Sequence, residues 1–242
     1  MPAFLDDITP FYGTKEKNAA GQTLEEFLAA YDPRRYEQPS VTADILVVQH
    51  PTPFTTVEHG LKLLMVQRSN HPSIGKWALP GGFVNIREDV QDAAARELLE
   101  ETGISGLPLE QLCAWGNWKR DPRTRIITVS HLALVEEGMA VQAGDDAADA
   151  CFFDLTCGLE ERRESHGARQ ETYRFSLTNE KREVSLSFLL REDSRTDSLL
   201  PQFTYHLLEN DGVAFDHPSV IGQGILYLKR LLTARSSQPL QR

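Results

Sequence analysis

GFVNIREDVQDAAARELLEETGI, residues 82–104, constrains the fold more than any other stretch of the chain. Residues 89–102 read as a helix that stops at Gly103, a C-cap residue free to turn left-handed. On that helix Glu97 and Glu101 stand at i,i+4, only ~40° apart around the axis at ~100° per residue. Like charges at this spacing destabilise a helix by roughly 0.2–0.5 kcal/mol per pair. Glu100 and Glu101 also crowd the C-terminal end of the helix dipole, where cations are preferred. A bound divalent cation would turn this repulsion into shared attraction. Hard carboxylate oxygens would select Mg²⁺ or Mn²⁺ rather than zinc. A solvated acidic helix face accounts for the same letters, so the octet RELLEETG does not decide between the two.

The surrounding pattern is that of a mixed α/β chain. VTADILVV (41–48) and LKLLMVQR (61–68) read as strands, and KWALPGGFV (76–84) as a short strand broken at Pro80-Gly81-Gly82. CAWGNW (113–118), RIITVSHLALV (125–135) and ACFFDL (150–155) read as further strands. A closing helix spans 214–232, with Asp216 as its N-cap and Pro218 in the first turn. Near the N-terminus, Thr23-Leu24-Glu25-Glu26 forms a capping-box pattern for a short helix that Asp32-Pro33 ends.

Residues 158–205 break this rhythm. GLEERRESHGARQE (158–171) reads as a polar, mobile segment. ETYRFSLT (171–178) and EVSLSFLL (183–190) form a hairpin pattern around Asn179-Glu180-Lys181. The expected organisation is therefore an N-terminal helical extension (1–40), a core domain (41–157), an insertion with a β-hairpin (158–205), the closing helix (206–234) and a tail (235–242). The apolar faces of the hairpin need cover, either from the chain's own core or from a second subunit. The expectation is a homodimer that buries Phe175, Leu186 and Phe188.

Asp and Glu total 35 against 25 Lys and Arg, a net charge of −10. That field opposes nucleic acid and anionic membranes, so neither is expected as a partner. Cys113, Cys151 and Cys157 are an odd count without metal-like spacing and read as reduced thiols of a cytoplasmic protein. The N-terminal residues lack a basic and an apolar region of secretory type. No apolar run approaches the ~20 residues of a membrane span.

Gly82, Glu88, Arg96, Glu97, Leu98, Glu100, Glu101, Gly103 and Ile104 together fill G-x5-E-x7-R-E-U-x-E-E-x-G-U, where U is aliphatic. This run resembles the Nudix box. WALPGGFV, WKRDPRTRIITVSHLALV (118–135) and AFDHPSVI (214–221) are similar to the ADP-ribose pyrophosphatase-like branch of that family, and also to Nudix-related repressors that bind ADP-ribose. The resemblance implies a Nudix-type α/β/α sandwich with a mixed sheet. It implies Mg²⁺-dependent (or Mn²⁺-dependent) hydrolysis of a nucleoside diphosphate linked to another group, ADP-ribose first.

Carried over residue by residue, the resemblance makes Glu97 and Glu101 the main metal ligands. Glu100 is a direct or water-bridged ligand, and Gly81 a candidate carbonyl ligand. Arg96, one turn from Glu100, would orient a carboxylate. The general base stays open among Glu97, Glu100, Asp145 and Asp146. Arg68, Arg120 and Arg123 are candidates to grip phosphate; a solvated turn also accounts for Arg120 and Arg123, and a rim ion pair accounts better for Arg68. Phe83 is a candidate to stack on a base, as are Trp77, Trp115 and Trp118, each of which core packing also explains. Asp216 and His217 read as a helix cap and its neighbour. A ligand-binding sensor is the competing function, but such a repressor needs a basic DNA-reading module. No recognition helix is evident here, and the box is complete.

Overall fold

The computed structural model describes residues 4–137, 150–195, 197–200 and 202–236. Its residues group into two units, Met1–Pro39 and Ser40–Arg242. In the first, Thr23 caps α1 (Leu24–Ala30) reciprocally with Glu26, the capping box read from the sequence, and α1 buries none of its residues. Pro33–Arg35 follows as a single 3-10 turn.

The second unit is built on β1 (Ser40–His50), buried at every position from Thr42 to Val48. A strand so apolar on both faces belongs in the middle of a covered sheet. It pairs antiparallel with β2 (Leu61–Gln67) and with the short β4 (Gly81–Phe83), while the short β3 (Trp77–Ala78) pairs with β2. The helix α2 (Val90–Thr102) follows, then β5 (Glu110–Trp115) and β6 (Ile126–Glu136). β6 pairs parallel to β1 from Ser40↔Ile126 to His50↔Glu136. An antiparallel meander closes the sheet: β7 (Ala150–Ser165), β8 (Ala168–Asn179), β9 (Val184–Arg195) and β10 (Phe203–Asp211). The last element is α3 (His217–Ser236).

The main path runs β10-β9-β8-β7-β2-β1-β6-β5, a mixed sheet with one helix on each face. Ala43, Ile45 and Val47 of β1 pack with Ala94 and Leu98 of α2. Leu46 and Val48, pointing the other way, pack with Val220, Ile221 and Ile225 of α3. This is the period of two expected of a strand. The sheet curls round α3 until its two edge strands approach: Trp115 of β5 and Tyr205 of β10 have ring centroids 6.2 Å apart. No helix among the described residues is long and apolar enough to cross a membrane.

Three expectations need correction. First, residues 158–171 are not a polar loop; β7 and β8 run through them, and only His166-Gly167, both at positive φ, make the turn. The strands there project past the core, and cross-strand ion pairs such as Arg162–Glu171 (2.6 Å) and Arg169–Glu164 (2.7 Å) replace apolar alternation. Second, the boundaries placed at 157/158 and 205/206 fall inside β7 and β10, so this region continues the sheet. Third, the hairpin exists, with Glu180–Arg182 at its turn, but its apolar face is covered within one chain. Phe175 and Phe188 are fully buried and stacked 4.6 Å apart, and with Leu186 they belong to the cluster that α3 closes. A second subunit is not needed to bury them.

Candidate functional site

The site forms where β4 passes between β1 and α2. Gly81 pairs with Asp44 and Gly82 with Ala43. A Cβ on Gly81 would lie 2.2 Å from the Ala43 carbonyl oxygen, and one on Gly82 would lie 2.3 Å from the Glu97 carboxyl carbon. The bare Gly82 therefore lets the Glu97 carboxylate lie directly against the β4 backbone, and the bare Gly81 lets β4 lie close against β1. Ala93 and Ala94 are wholly buried and keep α2 close to the sheet, while Gly103 ends it at φ 72.

Arg96 holds the acids together. Its Nε and Nη2 donate to the two oxygens of Glu88 at 2.7 and 2.9 Å, and Nη2 also donates to the Phe83 carbonyl at 3.0 Å. Its Nη1 donates to Glu97 at 2.6 Å and to Glu100 at 3.1 Å. The expected Arg96–Glu100 contact is thus the longest of the set, and Glu88 is the principal partner. Arg96 keeps the Glu88 carboxyl down at about 2. Glu100 remains more than half exposed.

Glu101 differs. One oxygen accepts the Gly81 N–H at 2.9 Å. Burial nevertheless pushes its carboxyl up to about 7, and the nearby charges of Glu97 and Asp44 add to the rise. Burial also raises Glu97, against the pull of Arg96.

Asp44 was not singled out in the sequence, where it is one polar letter in VTADILVV. It is buried, and its Oδ2 accepts no hydrogen bond. Arg120 Nη2 lies 3.6 Å from it and His217 Nε2 3.8 Å. His217 Nδ1 accepts the Leu79 N–H at 2.9 Å, which places the ring proton on Nε2, and burial holds this imidazole below its ordinary pKa. Arg120 forks onto Asp216 through Nε (2.9 Å) and Nη2 (2.8 Å). The triplet Phe215-Asp216-His217 is therefore more than a helix cap. It ties the start of α3 to the loop between β5 and β6, and AFDH was the signal that could have shown it.

Arg68, Gly82, Phe83, Arg123, Phe215 and His217 help line a cleft of about 170 Å³. Arg120 lines it too, but its guanidinium is engaged by Asp216. Arg123 forks onto Asp121 (3.0 and 2.8 Å) and lies over the Phe83 ring at 5.4 Å. Arg68 donates Nε to the Pro72 carbonyl at 2.8 Å and lies over Phe215 at 4.9 Å. It forms no ion pair among the described residues. Phe215 has φ 51, a left-handed conformation that costs a bulky side chain on the order of 1–3 kcal/mol. The aromatic walls are thus Phe83 and Phe215. Trp77 packs in the core 4.7 Å from Phe153, Trp115 faces Tyr205, and Trp118 sits on the surface beside Lys119. Asp145 and Asp146 lie outside the described residues.

The model of the NUDIX domain matches residues 53–175, just over half of the chain. The chain belongs to the Nudix family. Over 113 residues it is 42% identical to the ADPR responsive transcriptional repressor NtrR of Acinetobacter baylyi, a match covering 46% of this chain and 43% of that protein. Over 122 residues it is 38% identical to an ADP-ribose pyrophosphatase of Methanocaldococcus jannaschii, covering 50% of this chain and 66% of the relative. Each match spans less than two thirds of the relative's own length. Among solved structures, a MutT/nudix family protein from Enterococcus faecalis aligns with a TM-score of 0.59 at 31% identity, over 84% of this chain and 68% of that one. The NUDIX domain of Shewanella oneidensis NrtR complexed with ADP ribose aligns with a TM-score of 0.56 at 26% identity, over 86% and 99%. The mixed sheet with few helices is the Nudix fold. Because one relative is a transcriptional repressor, the acidic charge balance does not exclude nucleic acid as a partner of this Nudix chain.

Among the described residues no three Asp, Glu, His or Cys side chains form a ready-made metal cage, and Arg96 is paired with Glu97 and Glu100. The donor set still fits a hard divalent cation. Asp44 offers a buried oxygen without a hydrogen-bond partner, and burial raises both Glu97 and Glu101, the charge of Glu97 adding to the rise at Glu101. A cation would relieve all three.

Proposed function

We propose that this Nudix chain hydrolyses the pyrophosphate bond of a nucleoside diphosphate linked to another group, with ADP-ribose as the first candidate. The observation that carries this reading is the group of carboxylates, the buried Asp44 with the half-buried Glu97 and Glu101, beside the bare Gly81-Gly82 backbone and a cleft walled by cations and phenyl rings. Glu97 and Glu101 would hold Mg²⁺ or Mn²⁺, with Glu100 and the Gly81 carbonyl as outer or additional donors. When bound, the cation supplies charge for phosphate oxygens and acidifies the attacking water. Arg68 would read a phosphate oxygen, because its guanidinium is oriented by Pro72 and Phe215 and makes no ion pair among the described residues. Arg123 and Phe83 form the opposite wall. Arg96 would keep Glu97 in register, and Glu97 or Glu100 would accept the proton of the attacking water. The free thiols, two of them pushed up to about 11 and 12 by burial, fit a reducing cytoplasm.

A second reading, an ADP-ribose sensor that does not turn its ligand over, is favoured by the 42% identity to NtrR. One assay separates the two: incubation with ADP-ribose and Mg²⁺, with AMP release followed by chromatography and binding by calorimetry. Release that requires Mg²⁺ and disappears in Glu97→Gln supports hydrolysis. Binding without release in the wild type supports the sensor.

A further inference from the structure

Leu79-Pro80-Gly81 joins two stretches of backbone that are anchored to different neighbours. Upstream, β3 is tied to the segment that leads into α3. The Trp77 N–H donates to the Gly212 carbonyl at 3.0 Å, and the Ala214 N–H donates to the Trp77 carbonyl at 2.7 Å. Downstream, β4 is tied to β1. The Ile45 N–H donates to the Pro80 carbonyl at 2.8 Å, and Gly81 stands opposite Asp44.

The three linking residues carry only two backbone donors, because proline has no N–H. Both donate to side chains, and those side chains come from opposite faces of the sheet. The Leu79 N–H donates to His217 Nδ1 of α3, and the Gly81 N–H donates to Glu101 Oε2 of α2, each at 2.9 Å. Leu79 and His217 are buried, at 2% and 5% exposure, so solvent supplies no substitute acceptor for the imidazole. The link between the two donors is stiff. Proline fixes its own φ at roughly −65° and confines the residue before it to extended backbone. The Ile45–Pro80 bond serves as the pivot, so a displacement at the Leu79 N–H is passed to the Gly81 N–H rather than absorbed.

We infer that His217 is a positioning residue for the acids of α2: through Leu79, Pro80 and Gly81 it sets the direction of the Gly81 N–H and so of the Glu101 carboxylate. The inference rests on the proposed reading of Glu101 as a cation ligand. Groups one step behind a metal ligand change metal affinity by roughly 10–100-fold when they are lost. His217 stands in that relation to Glu101, although the two residues belong to helices on opposite faces of the sheet. Its Nε2 lies 3.8 Å from Asp44, a second route by which it could act; the choice of variants separates the two.

The test is calorimetric titration of the full chain with Mn²⁺ alone, with circular dichroism and thermal unfolding as checks on the fold. In His217→Asn an amide oxygen stands near the place of Nδ1 and accepts the Leu79 N–H, while nothing replaces Nε2. His217→Leu removes both. Mn²⁺ should bind His217→Leu at least tenfold more weakly than wild type, and His217→Asn within about threefold of wild type. Should His217→Leu fail to fold, His217→Gln takes its place: its amide stands near Nε2 and leaves the Leu79 N–H without an acceptor, and the same tenfold loss is expected. A lowered melting temperature with Mn²⁺ affinity at the wild-type level marks a purely structural histidine and overturns the inference, while leaving the cation reading in place. His217→Asn that binds as weakly as the other variants also overturns it, because the path through Leu79 is then not the one that matters. A wild type that takes up no Mn²⁺ at millimolar concentration removes the cation reading and the inference together.

Discussion

Replacing Glu101 by Gln should strengthen the fold while removing the proposed chemistry. Burial holds the Glu101 carboxyl at about 7 in the folded chain, against an ordinary 4.5. Below pH 4.5 the group is protonated in both folded and unfolded chains and contributes nothing. Between 4.5 and 7 the folded chain binds the extra proton, so stability falls as pH rises through this window. Above 7 the full penalty is present. A gap of about two and a half pH units, at ~1.36 kcal/mol per unit, corresponds to about 3 kcal/mol. Gln keeps an oxygen for the Gly81 N–H and carries no charge, so it escapes most of this penalty. At pH 7.5 without divalent cations, Glu101→Gln should unfold at higher urea than wild type and melt roughly 4–10 °C higher, given ~2–4 °C per kcal/mol for a chain of this size. At pH 4.5 the two proteins should coincide. Mg²⁺ should raise the wild-type melting temperature by linkage and leave the variant unmoved. A variant no more stable than wild type at pH 7.5 would refute the claim that Glu101 is a strained, desolvated acid.

Gly82→Ala should abolish hydrolysis of ADP-ribose with only a modest change in melting temperature, because the new methyl occupies the place of the Glu97 carboxylate; activity at the wild-type level would show that Glu97 need not lie there. Arg68→Ala should raise KM or Kd for ADP-ribose tenfold or more, as expected for a charged hydrogen bond of about 1.5–3 kcal/mol, and unchanged titration curves would return Arg68 to the surface. Arg120→Ala should instead act on stability: it leaves Asp216 and the buried Asp44 uncompensated, a loss of about 3–5 kcal/mol measurable by urea unfolding. Phe188→Asp should unfold the meander rather than split a dimer, and light scattering that shows a folded protein of altered mass would restore the subunit-interface reading.

The sequence showed best where local and tertiary requirements coincide. Thr23 and Glu26 cap a helix by chemistry contained in four residues. Gly81, Gly82 and the spacing of Glu97 and Glu101 were readable because an acidic helix against bare backbone needs a reason. The charged stretch from Glu160 to Glu171 could not be read as strand, because its stability comes from partners across the sheet and strand periodicity shows only when one face is buried. Asp44 was hidden by an apolar strand, and Asp216 and His217 by their second role at the start of α3. The meander's apolar side chains were recognised as needing cover, but the sequence could not show that α3 supplies it.

The Leu79–His217 hydrogen bond joins residues 138 apart in the chain. Chains emerge from the ribosome at roughly 5–20 residues per second, so at least several seconds separate the two partners. During that interval β6 can join β1 and the meander can form from neighbouring hairpins, while the cleft lacks one wall. The newborn chain therefore carries a long-lived, half-built sheet whose α3 face is bare, and assembly finishes only when the last helix is laid into the curl. Slow, non-local closure of this kind makes the final helix the step at which folding either completes or is lost to aggregation.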